Sequence, residues 1–305
     1  MTKLPSPPNL AGAMVALSVS DAADMGRLGY PQREVDRALF SICGALVRAG
    51  ARLAYGGNLE PAGYTFKIFR FLATAYTDRG GDAPFIHFAP SSELRKVTLG
   101  NLAAALAEGS GIVEMRTVAA DGRSFVVLLD DERPIARPVG GGDLASFSGE
   151  EDFQLWAAAL AGGADAGVLS AMRVVVSDLC RARIAMGGKT GVLSRRSDQY
   201  SGRMPGVVEE TIATLNAGCV PIVLGAFGGA ARDIAIALGL LDEAERVPRG
   251  EQAPSYAPAI AQLVGLRDKI PQNLFAELKT IAAMDQTELL GHRIAALCAQ
   301  VPARP

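Results

Sequence analysis

Short apolar runs alternate along the chain with longer stretches whose apolar residues recur at helical spacing. Ala13–Ser18 (AMVALS) ends in the polar Ser18-Val19-Ser20-Asp21, the pattern of a buried first strand followed by a loop. Pro31–Ala49 then places Val35, Leu39, Ile42, Leu46 and Val47 on one helical face, with Pro31 suited to the first turn and Gly50 to the C-terminal cap. Arg52–Tyr55 reads as a second strand and runs straight into Gly56-Gly57-Asn58. Strand, helix, strand at this spacing is a βαβ unit.

The alternation continues. A helix is predicted over Ala62–Tyr76, a strand over Pro84–Phe88 and a helix over Glu93–Glu108. Ile112–Val118 and Ser124–Leu129 flank Asp121-Gly122, which resembles a hairpin signal or a pair of short strands. Pro138–Gly149, with Gly140-Gly141-Gly142, reads as a loop that covers the site, and Glu151–Leu160 and Ala166–Leu179 as helices. Ala182–Met186 and Val220–Leu224 are apolar runs, each opening into a glycine-rich segment that leads into a helical pattern. The predicted class is α/β, Rossmann-like, a mostly parallel sheet flanked by helices. After Leu241 the character changes. Asp242–Pro258 is polar and proline-bearing, and Ala259–Arg267, Gln272–Ala283 and Thr287–Cys298 read as amphipathic helices without chemistry of their own. The expected organisation is a flexible N-terminus over residues 1–10, a nucleotide-binding domain over 11–241, and a C-terminal helical extension over 242–305. That extension packs on the domain or forms an oligomer interface.

Composition narrows the partners. The chain has 305 residues, 49% of them hydrophobic, and its 30 Lys+Arg against 32 Asp+Glu give a net charge of −2. No dense basic block tracks a nucleic-acid backbone, so a nucleic-acid polymer is not the expected partner. The longest apolar runs fall far short of the roughly 20 residues that span a bilayer, and the N-terminal MTKLPSPPNL lacks the apolar core of a leader. The expectation is a cytoplasmic protein that does not engage a membrane. The four cysteines are scattered without the CxxC spacing of zinc or redox sites and read as reduced core residues, and two histidines argue against a His-rich metal site or a serine triad. His87, inside the apolar run Phe85–Phe88, reads as a strand residue.

Candidate chemistry collects at the ends of the strands. Gly187-Gly188 leaves backbone amides unobstructed and Lys189 offers a mobile positive charge to a phosphate; a glycine turn with a solvated lysine is the alternative. Pro205 suits a helix start and Gly206 allows an anion near the helix N-terminus. Gly228-Gly229 forms a second helix start, where diphosphate binds or where helix and strand merely pack closely. Gly56-Gly57 likewise serves either a tight turn or a ligand. Glu209 and Glu210 lie one turn into a helix, about 100° apart, so only one faces a pocket easily, where it accepts ribose hydroxyls or acts as a base. Arg203 and Tyr200 in the polar loop are candidates for gripping phosphate and stacking on a base.

The segments Ala171-Met172-Arg173, Cys180–Lys189, Gly202–Glu210 and Gly225–Arg232, in that order, resemble the SLOG superfamily, which includes Rossmann-like domains related to the cytokinin-activating LOG enzymes and to DprA. With Val15–Ser20 and Tyr55-Gly56-Gly57 the resemblance spans residues 12–240. It is closest to the sensor-type branch found in bacterial conflict systems beside TIR or sirtuin domains. The resemblance implies a pocket for a nucleotide or an ADP-ribose-like ligand, with Ser18, Ser20, Gly56, Gly57, Asn58, Gly187, Gly188, Lys189, Tyr200, Arg203, Pro205, Gly206, Gly228 and Gly229 around it. LOG enzymes bind phosphate with PGG-x-GT-x-x-E and use its glutamate to cleave a nucleotide N-glycosidic bond. Here Gly187-Gly188-Lys189 replaces PGG, and a polar insertion precedes Pro205-Gly206 and Glu209-Glu210. That departure favours a sensor of cyclic ADP-ribose-type signals, needing no cofactor and read out through a homo-oligomer or an effector protein. A LOG-type nucleotide N-glycosidase, with Glu209 or Glu210 as its catalytic residue, and a scaffold that binds nothing are the competing expectations.

Overall fold

The computed structural model describes residues 8–60, 62–76, 81–162 and 165–302. Of the expected flexible N-terminus, residues 1–7 lie outside this range. The chain begins with β1 (Met14–Ser20), α1 (Gln32–Arg48), β2 (Arg52–Gly56), α2 (Tyr64–Ala75) and β3 (Phe85–Pro90). Next come α3 (Ser91–Leu94), α4 (Leu99–Glu108), β4 (Val113–Val118), β5 (Ser124–Asp130), β6 (Arg133–Pro138) and β7 (Ala145–Ser146). Two helices, α5 (Glu150–Ala161) and α6 (Asp165–Leu179), lead into β8 (Ala182–Gly187), α7 (Gly206–Asn216), β9 (Val220–Leu224) and α8 (Gly229–Ala237). The chain closes with α9 (Tyr256–Val264), α10 (Phe275–Ala282) and α11 (Thr287–Gln300). The fold is the expected one: α/β and Rossmann-like, with mostly parallel strands flanked by helices and a helical C-terminal part.

Two compact units make up the chain. The first takes the residues up to Leu53 together with Cys180–Tyr200 and Met204 onward. In it β1, β8 and β9 pair in parallel, Leu17 opposite Ile184 and Ile184 opposite Ile222. Their burial on both faces explains why these runs are continuously apolar rather than alternating. Val35, Leu39, Ile42 and Leu46 give α1 one buried stripe. A β-carbon at Gly291 of α11 would come within 2.5 Å of the Ser41 carbonyl oxygen of α1, so the glycine sets how closely these helices cross.

The second unit takes Ala54–Leu179 and Ser201–Arg203. Here β3 and β4 are parallel, and β4 through β7 form an antiparallel meander. The Asp121-Gly122 signal does turn β4 into β5, with Gly122 at φ +86°. The expected helix over Glu93–Glu108 is instead two: α3 ends at Leu94, and Thr98 caps the start of α4 by accepting the Asn101 N–H at 3.2 Å. Strand β6 was not anticipated, and the expected loop Pro138–Gly149 contains β7. The core of this unit gathers Leu94, Leu102, Phe125, Phe147 and Phe153, with Trp156 packed edge-on to Phe125 at 5.7 Å.

His87 is indeed a strand residue, 2% exposed in β3. Burial pushes its imidazole down from 6.5 to about 4, an interaction with the Tyr55 backbone working weakly the other way. The unfolded chain therefore takes up this proton first. Stability from the neutral imidazole is complete above about pH 6.5 and is lost as pH falls toward 4, by ~1.4 kcal/mol per unit. Urea melts followed by Trp156 fluorescence should show this acid slope, and H87L should flatten it; an unchanged slope in H87L would assign the acid sensitivity elsewhere.

Among the described residues, no single helix is long and apolar enough to cross a membrane. All four cysteines are buried and none is in a disulfide, and Cys219 Sγ donates to the Cys180 carbonyl at 2.7 Å.

Candidate functional site

The first unit brings its chemistry to the C-terminal ends of β1 and β8. Ser20 and Gly187 sit opposite each other at the last rung of the pair, and the Ser20 carbonyl accepts the Gly188 N–H at 3.0 Å. Gly188 has φ +99°, and a β-carbon there would lie 2.9 Å from Val207 Cγ2 and 3.1 Å from Ala230 Cβ. The starts of α7 and α8 thus converge on Gly188, whose carbonyl accepts the Ala230 N–H at 3.0 Å. Glycine is required here because two helix N-termini must approach one strand end.

The turn that follows is stapled from within. Asp198, 2% exposed, accepts the Thr190 N–H at 3.0 Å, the Thr190 hydroxyl at 2.8 Å and the Val192 N–H at 2.9 Å. Lys189 Nζ donates to the Gln199 carbonyl at 2.8 Å. Tyr200 lies against Gly191, where a β-carbon would come within 2.6 Å of its ring, and its hydroxyl meets Ser255 Oγ at 2.7 Å. Lys189 and Tyr200 therefore shape the loop over residues 188–200 with contacts inside the unit.

At the start of α8 the Gly229 N–H donates to Asp24 Oδ1 at 2.7 Å. Asp24 Oδ2 accepts from Arg249 Nε at 3.1 Å and Nη2 at 2.6 Å, and Arg249 Nη1 reaches Asp233 Oδ2 at 2.5 Å. The Tyr256 hydroxyl donates to the same Asp233 oxygen at 2.5 Å, and Arg246 stands 3.7 Å from the other. Burial works against the charge of Arg249, but Asp233 and then Asp24 outweigh it and hold the guanidinium above its ordinary value. Burial first, then the charge of Asp233 and its hydrogen bond, keep Tyr256 protonated well above the usual phenol range.

Beside this cluster opens a polar cleft of about 130 Å³, lined by Arg27, Arg195 and Arg249 with Asp24, Thr190 and Ser194. Arg27 and Arg195 are exposed and hold their places through single backbone carbonyls, Pro248 O at 2.9 Å and Ala23 O at 2.8 Å. Three arginines and one aspartate stand in this lining, and of the three Arg249 is the one hydrogen-bonded to that aspartate. The arrangement suits an anion with several oxygen acceptors. Among the described residues no group of three or more His, Cys, Asp or Glu could hold a metal ion.

The two glutamates diverge as their spacing requires. Glu210 is buried and accepts from the Ser18 hydroxyl and from Arg183 Nη1 at 3.3 Å, while Arg183 Nε donates to Thr214 Oγ1 at 2.7 Å. Ser18, on β1, is thereby committed to a buried network linking β1, β8 and α7. Glu209, the preceding residue on α7, is half-buried. Pro205 is buried one place before α7 and Gly206 opens the helix.

Gly56, Gly57, Asn58 and Arg203 belong to the second unit. There a β-carbon on Gly57 would come within 2.5 Å of the Tyr55 ring, the Asn58 carbonyl accepts the Thr65 hydroxyl at 2.9 Å, and Arg203 is exposed. Sequence reasoning missed Asp24, Arg27, Arg195, Asp233 and Arg249. Arg195 lies in the same polar loop as Arg203, and Arg249 in the polar, proline-bearing stretch Asp242–Pro258, which offers no motif to single it out.

Fold and cleft together define a Rossmann-like α/β protein with an arginine-lined polar cleft beyond the ends of β1 and β8. The family model described as SLOG cluster2 matches residues 9–269, and the chain belongs to that family. No curated protein matches it.

Proposed function

We propose that this protein binds a nucleotide-derived ligand of the ADP-ribose or cyclic ADP-ribose class as a sensor module of the SLOG type. The observation that carries this reading is the cleft beyond the β1 and β8 ends, which Arg27, Arg195 and Arg249 all line. A diphosphate supplies enough acceptor oxygens for several guanidinium groups at once. The engagement of Glu210 with Arg183 and Ser18 favours binding over N-glycosidic hydrolysis, because that carboxylate is already committed to a buried ion pair. The ligand's occupancy is read out by a cytoplasmic oligomer or an effector protein, with the C-terminal helices offered as the surface.

The test is one incubation of the protein with AMP, NAD, ADP-ribose and cyclic ADP-ribose isomers, followed by thermal shift and by mass detection of the nucleotides. A stabilising ligand recovered intact is expected. R27A and R195A should each weaken its binding about 10-fold or more, as befits loss of a charge-assisted hydrogen bond, with stability changed by about 0.5 kcal/mol or less. Undiminished affinity in both variants would remove the cleft from the reading, and release of free base would make the protein a hydrolase.

A further inference from the structure

The anion position at the start of α8 is filled by the chain's own carboxylate. Asp24 takes the Gly229 N–H through Oδ1 and two Arg249 donors through Oδ2. A helix N-terminal amide and a two-donor guanidinium are the groups a phosphate would use. Asp24 is only 4% exposed, yet it stands in the lining of the cleft that Arg27 and Arg195 share. Asp24 and Asp233 already place two negative charges on Arg249. A phosphate added to this set meets like charge in a poorly solvated place, whereas a phosphate that replaces Asp24 inherits its donors.

We propose that Asp24 is an internal stand-in for the ligand's phosphate, and that ligand binding proceeds by exchange: phosphate takes the Gly229 N–H and Arg249, and the segment carrying Asp24 is released. The inference rests on the reading of the cleft as a phosphate site. The segment is short, closed on itself by a turn, and tied to its surroundings at the Ala23 carbonyl, which accepts from Arg195 Nη1 at 2.8 Å. Arg27 and Leu28 donate their N–H groups to the Asp24 carbonyl at 3.0 and 3.1 Å, and Arg27 Nη1 reaches the Pro248 carbonyl. Two residues on, the Tyr30 hydroxyl donates to Asp285 Oδ2 at 2.9 Å, between α10 and α11, while its ring lies 5.2 Å from that of Phe227. Displacement of Asp24 therefore pulls on a contact with the C-terminal helices. The exchange converts occupancy of the cleft into a change at α10 and α11.

The experiment compares wild type, D24A and D24N by calorimetric titration with inorganic pyrophosphate and with ADP-ribose, together with hydrogen exchange over residues 21–30. D24A should bind about 10-fold tighter than wild type, since the competing charge-assisted contacts are gone. D24N, which keeps the side-chain shape and an acceptor for the Gly229 N–H, should gain less. In wild type, ligand should speed amide exchange at 21–30 while slowing it elsewhere in the unit, and D24A should show the fast exchange without ligand. Equal or weaker binding by both variants, or slower exchange at 21–30 when ligand binds wild type, overturns the exchange while leaving the cleft as the site. Binding by none of the three proteins overturns the phosphate-site reading and the exchange with it.

Discussion

Replacing Arg249 by methionine will destabilise the protein by about 3–5 kcal/mol and abolish its response to ADP-ribose. The size of the stability effect follows from what the substitution leaves behind. Asp233 is 0% exposed and Asp24 4%, and Arg249 is the cation that pairs with both. Methionine fills much of the same volume, so packing changes little, but two carboxylates remain in a poorly solvated place with their main partner gone. Arg246, at 3.7 Å and half-exposed, replaces only part of that interaction. The same argument supplies a control. The triple variant D24N/D233N/R249M removes both stranded charges, and it should be more stable than R249M alone even though it carries more substitutions. Urea denaturation decides the matter: a triple variant no more stable than the single one would mean that Arg249 acts through packing rather than charge. Binding separates from folding in the same series, because the triple variant recovers stability without recovering the guanidinium that the ligand needs.

This site also shows where the sequence stops being readable. The strands β1, β8 and β9 and their helices were legible because buried parallel strands are continuously apolar and their partners carry a 3.6-residue stripe. The glycines at 187–188 and 228–229 were legible as strand-to-helix junctions for the same reason. What each glycine does was not, since close packing and ligand access require the same absence of a β-carbon. The structure shows the packing directly at Gly188, Gly229 and Gly57, whose β-carbons would each meet neighbouring atoms within 2.9 Å. Asp24 and Arg249 were invisible for another reason. They are 225 residues apart, in polar segments without period, and only the fold brings them together.

Strand β6 was missed on local grounds. Its sequence RPIARP carries two prolines, and the turn before it uses Asp131 and Glu132 at φ 44° and 65° where a hairpin usually has Asn-Gly. Pairing on both sides, to β5 and β7, overrides these preferences. The glutamate pair was half legible. Helical geometry dictated that Glu209 and Glu210 diverge, but only the tertiary structure shows that Glu210 faces Arg183 on β8.

The glycine at the end of β8 carries the other large effect. Gly187→Ala is expected to cost about 3 kcal/mol or more, whereas Gly218→Ala should cost only about 1 kcal/mol. Both glycines have left-handed backbone, φ +68° and +74°, so the intrinsic penalty for alanine is shared. The surroundings differ. A β-carbon on Gly218 meets nothing within 4 Å, while one on Gly187 would collide with the carbonyl oxygen of Ser20. That oxygen is main chain and cannot swing aside like a flexible side-chain end. It also accepts the Gly188 N–H that closes the last rung between β1 and β8. Relieving the collision must therefore open that rung, and with it the turn that Asp198 holds beside the cleft. Paired urea melts of the two variants measure the difference. Equal losses would mean that backbone conformation alone sets the cost and that the junction can shift freely. A much larger loss at Gly187 would show that this strand end is fixed by contact, which is what a site built on it requires.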